Sequence, residues 1–233
     1  MDRVALFDFC GTIADFQTFN PFIELVLKKE KPERYRFYKN KFVTETVKII
    51  TKMINMFAHD YYFDKHLLVA LTKGIHEKAF IDQAYIYYNN IVTTRLISKS
   101  LEILALCKGQ GIYTIILSAG CDQYINLFAE KYGVDSIIAS KLCFVHGVSV
   151  GRFEDKDING KVKIEALKYF MNERGMDPNY ILGVSDSASD KSVLDLCKRK
   201  IVISKGKHQS WVNDNYQEVI YDEEHQTINK KGV

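Results

Sequence analysis

Val4-Ala5-Leu6-Phe7 is a short continuous apolar run that breaks into the polar turn Asp8-Phe9-Cys10-Gly11-Thr12. A run of this kind predicts a strand buried on both faces of a parallel sheet. From Asn20-Pro21, a good cap-and-start pair, the texture changes. Phe22, Ile23, Val26 and Leu27 recur at helical spacing, and Val43, Val47, Ile50, Ile54 and Phe57 mark a second helix. Leu67, Leu68 and Leu71 suggest a third, closed by Gly74, and Phe80, Ala84, Tyr87 (or Tyr88) and Ile91 a fourth. Nothing here alternates like a strand, so 15–96 reads as a helical insertion between 1–14 and 97–233.

After the insertion, strands and helices alternate. Leu101, Leu104 and Ala105 belong to a helix closed near Gly109 and Gly111, and Ile112 to Leu117 form a strand ending at Ser118. A helix from Tyr124 to Tyr132 and a strand from Ser136 to Ala139 follow. Cys143 to Val145, His146-Gly147 and Val148 to Val150 read as a hairpin. A helix over 163–173, a strand from Tyr180 to Val184, a helix over 190–198 and a strand Ile201-Val202-Ile203 complete the pattern. This alternation predicts an α/β fold with a doubly wound parallel sheet carrying an inserted all-α domain. Trp211 is expected to anchor the last helix, and the polar tail after about 222 to fray.

Composition narrows the function classes. With 32 basic and 29 acidic residues among 233, the net charge is +3, too balanced for a nucleic-acid partner. No run approaches the roughly 18 apolar residues of a membrane span. The five cysteines form no Cys-x-x-Cys pair, which argues against a zinc site or disulfide framework and for reduced thiols in the cytoplasm.

The chemistry gathers at strand ends. Asp8, Ser118 and Asp186 each sit just past an apolar strand, and in a parallel sheet those ends share one ligand-binding edge. Asp190 adds a further acid. Carboxylates collected at one place repel unless a cation or proton sits among them, and magnesium favours a few carboxylates completed by water and phosphate oxygens. Lys163 can supply a positive charge for phosphoryl oxygens. Lys161 competes for that role, although counting from Lys163 puts Ala166, Leu167 and Phe170 on one buried face.

Asp8-Phe9-Cys10-Gly11-Thr12 resembles the first motif of the haloacid dehalogenase superfamily, Asp-x-Asp-Gly-Thr. Leu117-Ser118-Ala119-Gly120 resembles the second, Lys163-Ile164-Glu165-Ala166-Leu167 the third, and Gly183-Val184-Ser185-Asp186 through Asp190 the fourth. All four stand in order along essentially the whole chain, and the insertion is similar to the cap of the phosphoserine phosphatase branch. The resemblance implies a magnesium-dependent phosphatase of a small phosphorylated metabolite, with Asp8 forming an aspartyl-phosphate. It implies magnesium on Asp8, Asp186 and the Cys10 carbonyl, with Asp190 supporting the site. Ser118 and Lys163 would take the phosphoryl oxygens beside Ala119, with Gly11 permitting the turn and Thr12 bracing it.

Two positions depart from the pattern. Cys10 stands where most of these phosphatases carry a second aspartate as general acid and base, and a thiol does that work poorly near neutrality. A phosphotransferase, or a phosphoryl-ligand binder without turnover, therefore stays open. A cysteine-nucleophile phosphatase is rejected, because Phe16 stands where its phosphate loop needs arginine. Gln17 replaces a glutamate that pairs with the amino group of phosphoserine, which counts against that substrate. Arg34, Arg36 and Arg95 are weaker candidates for meeting an anionic substrate, and His59, His66, Tyr61 and Tyr62 read as packing or surface residues.

Overall fold

The computed structural model describes residues 2–55 and 62–222. Phe57, His59, Tyr61 and the tail from 223 lie outside the described residues. Six parallel strands form one sheet: β1 (Asp2–Phe7), β2 (Tyr113–Cys121), β3 (Ser136–Ser140), β6 (Pro178–Ser185), β7 (Arg199–Lys205) and β8 (Gln217–Tyr221). Their order is β3-β2-β1-β6-β7-β8, with β4 (Leu142–Val145) and β5 (Val148–Phe153) as a separate antiparallel hairpin. The hairpin turn is His146-Gly147, both at positive φ, as a tight two-residue connection demands.

β1 is central because it is apolar on both faces. Val4 and Leu6 face one layer with Ile115 and Leu117, packing against Leu167 and Met171 of α8 (Lys161–Glu173) and Val193 of α9 (Lys191–Leu194). Ala5 and Phe7 face the other layer, where α6 (Ser98–Gly109), α7 (Asp122–Tyr132) and the inserted helices cover the sheet. From β1 the chain winds outward to β2 and β3, then returns to pair β6 on the opposite side. The winding therefore reverses at β1, and such a switch point opens a crevice at the carboxyl ends of the strands.

Between β1 and β2 lie α1 (Phe19–Glu30), α2 (Pro32–Lys39), α3 (Lys41–Asn55), α4 (Phe63–Leu71) and α5 (Glu77–Tyr87), followed by a π-helical turn over 88–92. The chain leaves and returns at one place, where Ala14 bridges Leu96 and Ile97 N–H donates to Ile13 O at 2.8 Å. The tyrosine and phenylalanine wealth of the sequence is spent here. Phe22, Tyr87 and Tyr124 meet edge to face or tilted at 5.2–5.5 Å, joining α1 and α5 to α7.

Several details differ from the sequence reading. α1 begins at Phe19, ahead of Asn20, with Thr18 as the flanking residue. α2 went unread because its residues Pro-Glu-Arg-Tyr-Arg-Phe-Tyr-Lys bury no side chain fully and so carry no apolar stripe. β2 continues past Ser118 to Cys121 through a register shift against β3. The expected helix over 190–198 is only a short turn, Lys191–Leu194, preceded by a 3-10 turn at Ala188–Asp190. No helix surrounds Trp211; its indole N–H donates to Gln209 Oε1 at 2.6 Å and its ring meets Tyr216 edge to face.

Candidate active site

The loop after β1 turns tightly because Phe9 O accepts the N–H groups of both Ile13 and Ala14 at 2.9 Å, while Gly11 N–H donates to Ala14 O. Gly11 has φ +80, and a Cβ there would lie 2.1 Å from Asp186 Oδ2. Glycine is required on both counts, and the close approach brings the tips of β1 and β6 together.

Around that turn the four charged residues singled out from the sequence converge. Lys163 Nζ donates to Asp8 Oδ1 at 2.9 Å and to Asp190 Oδ2 at 2.8 Å, all three side chains being less than a tenth exposed. Thr12 Oγ1 lies 3.0 Å from Asp186 Oδ1 and 3.5 Å from Asp8 Oδ2, so one buried hydroxyl ties the two acids. Ser185 Oγ donates to Asp190 Oδ2 at 2.7 Å. Lys161 is exposed at the first turn of α8, and it is Lys163 that the helix turns inward.

The electrostatics record a shortage of positive charge. Burial pushes the Asp8 carboxyl up, against the pull of Lys163 and with a further push from Asp190. Burial, reinforced by Asp8, raises Asp186 to about 7. Burial opposes the Lys163 charge, but Asp8 and Asp190 overcome it and hold the ammonium ionised. Asp8 and Asp190 thus share one ammonium while the half-buried Asp186 is held by Thr12, and Asp190 Oδ1 is buried with no hydrogen-bond partner. Among the described residues no group of three or more His, Cys, Asp or Glu is set to enclose a metal by itself. Magnesium asks for less: one or two carboxylates, with waters and a substrate phosphate supplying the rest. Asp8 and Asp186, hard oxygen donors short of a counter-charge, fit that ion.

The remaining positions fall into place around this centre. Cys10 Sγ lies 3.0 Å from Thr18 Oγ1 and 3.7 Å from Ser118 Oγ. Burial and the Asp8 charge push its thiol up, so it stays protonated near neutrality. Ser118 is fully buried and accepts from Gly120 N–H at 3.2 Å, one layer behind the cavity wall that Ala119 lines. Gln17 lines the mouth of the same cavity, as do Tyr62 and Asp64. Arg34 is turned away, donating to the carbonyls of Leu71 and Lys73, and Arg95 pairs with Asp15 over the Phe16 ring; neither they nor Arg36 line the cavity. His66 packs edge to face on Phe153.

Sequence reasoning missed two groups. Thr18 Oγ1 sits 2.6 Å from Tyr124 OH, which accepts Cys121 N–H at 2.9 Å, while Tyr87 OH donates to Thr18 O at 2.8 Å. This buried network cradles the Cys10 thiol, and no local pattern announces it. Lys65 of α4 pairs with Asp157, donates to Ala119 O at 2.7 Å and lies over the Phe19 ring at 4.1 Å. A signal for it existed: a lysine one turn ahead of Leu68 and Val69 on a buried stripe.

Several known proteins are similar to this chain. A phosphoserine phosphatase of Albidiferax ferrireducens is 27% identical over 137 residues, which cover 56% of this chain and 54% of that protein. The chain thus spans about half the length of that curated relative. A protein of unknown function from Bordetella pertussis Tohama I superposes with a TM-score of 0.71 at 16% identity, over 87% of this chain and 91% of the other. Phosphoserine phosphatase from T. onnurineus superposes with a TM-score of 0.53 at 17% identity, over 95% and 90% of the two chains. These superpositions establish a shared fold. The model of the haloacid dehalogenase-like hydrolases matches residues 5–195, most of the chain, and the protein belongs to that family.

Proposed function

We propose that this chain is a magnesium-dependent phosphatase of a small phosphomonoester, working through an aspartyl-phosphate on Asp8. The observation that carries the reading is the pairing of Asp8 and Asp190 with a single ammonium, Lys163, while the Thr12 hydroxyl ties Asp186 to Asp8. The phosphoserine phosphatase relative supports the reaction class. Magnesium, when bound by Asp8, Asp186 and the Cys10 carbonyl, would neutralise charge on the transferring phosphoryl group. Asp190 would hold Lys163 in place.

The chain's own groups then divide the work. An Asp8 carboxylate oxygen attacks phosphorus as the bond from phosphorus to the alcohol oxygen breaks, and the leaving oxygen takes a proton from water. A water then attacks the aspartyl-phosphate, releasing phosphate and restoring Asp8. Lys163 and the Ala119 segment position the non-bridging oxygens, and the buried Ser118 supports the wall behind Ala119. The helical insertion, bounded at 15–96, acts as a cap that excludes water from the cavity. The buried, free state of all five cysteines supports a reducing compartment such as the cytoplasm, and among the described residues no helix is long and apolar enough to cross a membrane.

A second reading rests on Cys10. Its protonated thiol is a poor base for water attack on the aspartyl-phosphate, which favours a long-lived intermediate and transfer to another hydroxyl. An aryl phosphate assay with magnesium separates the readings. Steady phosphate release that vanishes in Asp8→Asn is expected of a phosphatase. A burst of one equivalent, or transfer to an added alcohol, identifies the transferase. No magnesium-dependent chemistry at all would refute both.

A further inference from the structure

The cavity over Asp8 has a volume of about 360 Å³, within the range of small-molecule sites. Its floor is the charged cluster already described. The organic part of a substrate must meet the remaining wall, which includes Gln17, Asn20 and Asp64 from the helical insertion and Asn159, Ser187 and Ser189 from the core.

Charge accounting decides what that wall accepts. Among the described residues lining the cavity, Lys65 is the one cation besides Lys163. It is 5% exposed and fully engaged by Asp157, by Ala119 O at 2.7 Å and by the rings of Phe19 and Phe153 at 4.1 and 5.3 Å. A substrate carboxylate could take Lys65 only by leaving Asp157, itself 8% exposed, as an unpaired buried charge. On the helical side Gln17 is neutral, and Asp64 accepts a hydrogen bond from Asn20 Nδ2 at 2.9 Å, which fixes both side chains. What remains is the Phe19 and Tyr62 rings, one acceptor carboxylate, and a set of amides and hydroxyls in which Asn159 Nδ2 donates to Asp157 and the Ser187 and Ser189 hydroxyls lie 2.9 Å apart. Amides both donate and accept in fixed directions, as a hydroxyl does, and so match vicinal hydroxyl groups.

Resting on the phosphatase reading above, we infer that the organic part of the substrate is neutral and polyhydroxylated: a sugar or polyol monophosphate rather than an amino-acid phosphate. Sites built to hydrogen-bond a hydroxyl reject analogues that lack it, because their buried polar groups are then left unpaired.

The test is a rate comparison with magnesium across hexose, pentose and polyol monophosphates, phosphoserine and 3-phosphoglycerate, with an aryl phosphate as a control for the chemistry alone. The best sugar or polyol phosphate is expected to exceed phosphoserine and 3-phosphoglycerate in kcat/KM by about tenfold or more. Equal or better use of either acid overturns the inference while leaving aryl phosphatase activity, and so the reaction class, intact. Loss of aryl phosphate turnover would instead refute the phosphatase reading. The same ranking is then read from thermal shifts of the protein with magnesium and each compound, where a larger shift with phosphoserine counts against the inference. Asn20→Ala is expected to lower the ratio of sugar phosphate to phosphoserine use by about fivefold or more, and an unchanged ratio contradicts the assignment.

Discussion

Cys10 is the residue at which this chain parts from the motif it resembles. Its thiol sits in a neutral pocket of Thr18 and Ser118, and burial beside Asp8 keeps the proton on sulfur. Cys10→Asp would return a carboxylate to hydrogen-bond reach of Thr18. Since general acid–base catalysis supplies roughly 10² to 10⁴ in rate, turnover of an aryl phosphate is expected to rise by about tenfold or more. Equal or lower turnover would mean that another group already does this work. Asp186 makes a different prediction. Its folded pKa of about 7 lies above the ordinary aspartate value, so the fold holds this proton more tightly than the unfolded chain does. That contribution to stability is complete below about pH 4 and is lost as pH rises through about 7. Magnesium favours the ionised carboxylate, so it is expected to raise the unfolding midpoint more at about pH 8 than at about pH 5.5. Thermal unfolding with magnesium or chelator at both pH values checks this, and an equal shift at the lower pH contradicts it. Asp8, Asp186, Asp190 and Lys163 were legible from sequence because each interrupts or follows a strong apolar pattern. Thr18 and Tyr124 were not, since they meet only when α1 and α7 pack over β1, across 106 residues of chain.

At the scale of elements, the β1 turn is the tightest constraint. Gly11→Ala asks for a Cβ at φ +80 and within 2.1 Å of Asp186 Oδ2, so the turn must shift or the acid must move. A loss of about 1 to 3 kcal/mol is expected from the backbone strain, measured by urea unfolding, along with weaker magnesium-dependent stabilisation. A variant as stable and as magnesium-responsive as the parent would show that the turn is not held this closely. The buried strands β1, β2, β6 and β7 were readable because a parallel sheet covered on both faces demands continuous apolar runs. β8 was not: Gln217–Tyr221 is an edge strand whose side chains, Tyr221 apart, are partly or fully exposed. α2 escaped for the helical version of the same reason, lacking a buried stripe. Of Lys163 and Lys161, α8 turns the first onto Asp8 and leaves the second exposed, the orientation that the apolar spacing of Ala166, Leu167 and Phe170 already favoured.

At the scale of the whole molecule, the sheet order places the reversal of winding at β1, and the chemistry collects at its carboxyl end. The insertion leaves and rejoins the core beside that end, at Ala14 and Leu96, so its helices roof the same cavity the strand tips floor. The shape of that roof was beyond sequence reading, because amphipathic spacing gives each helix a buried face but not the neighbour it faces. The central claim is that this arrangement makes Asp8 a nucleophile toward phosphorus. Acid quench of the protein during reaction with an aryl phosphate and magnesium, followed by peptide mass spectrometry, tests it most directly. The account predicts a single added phosphoryl group on Asp8, dependent on magnesium and absent in Asp8→Asn; phosphate release with Asp8 never modified, or the label on another residue, would contradict it.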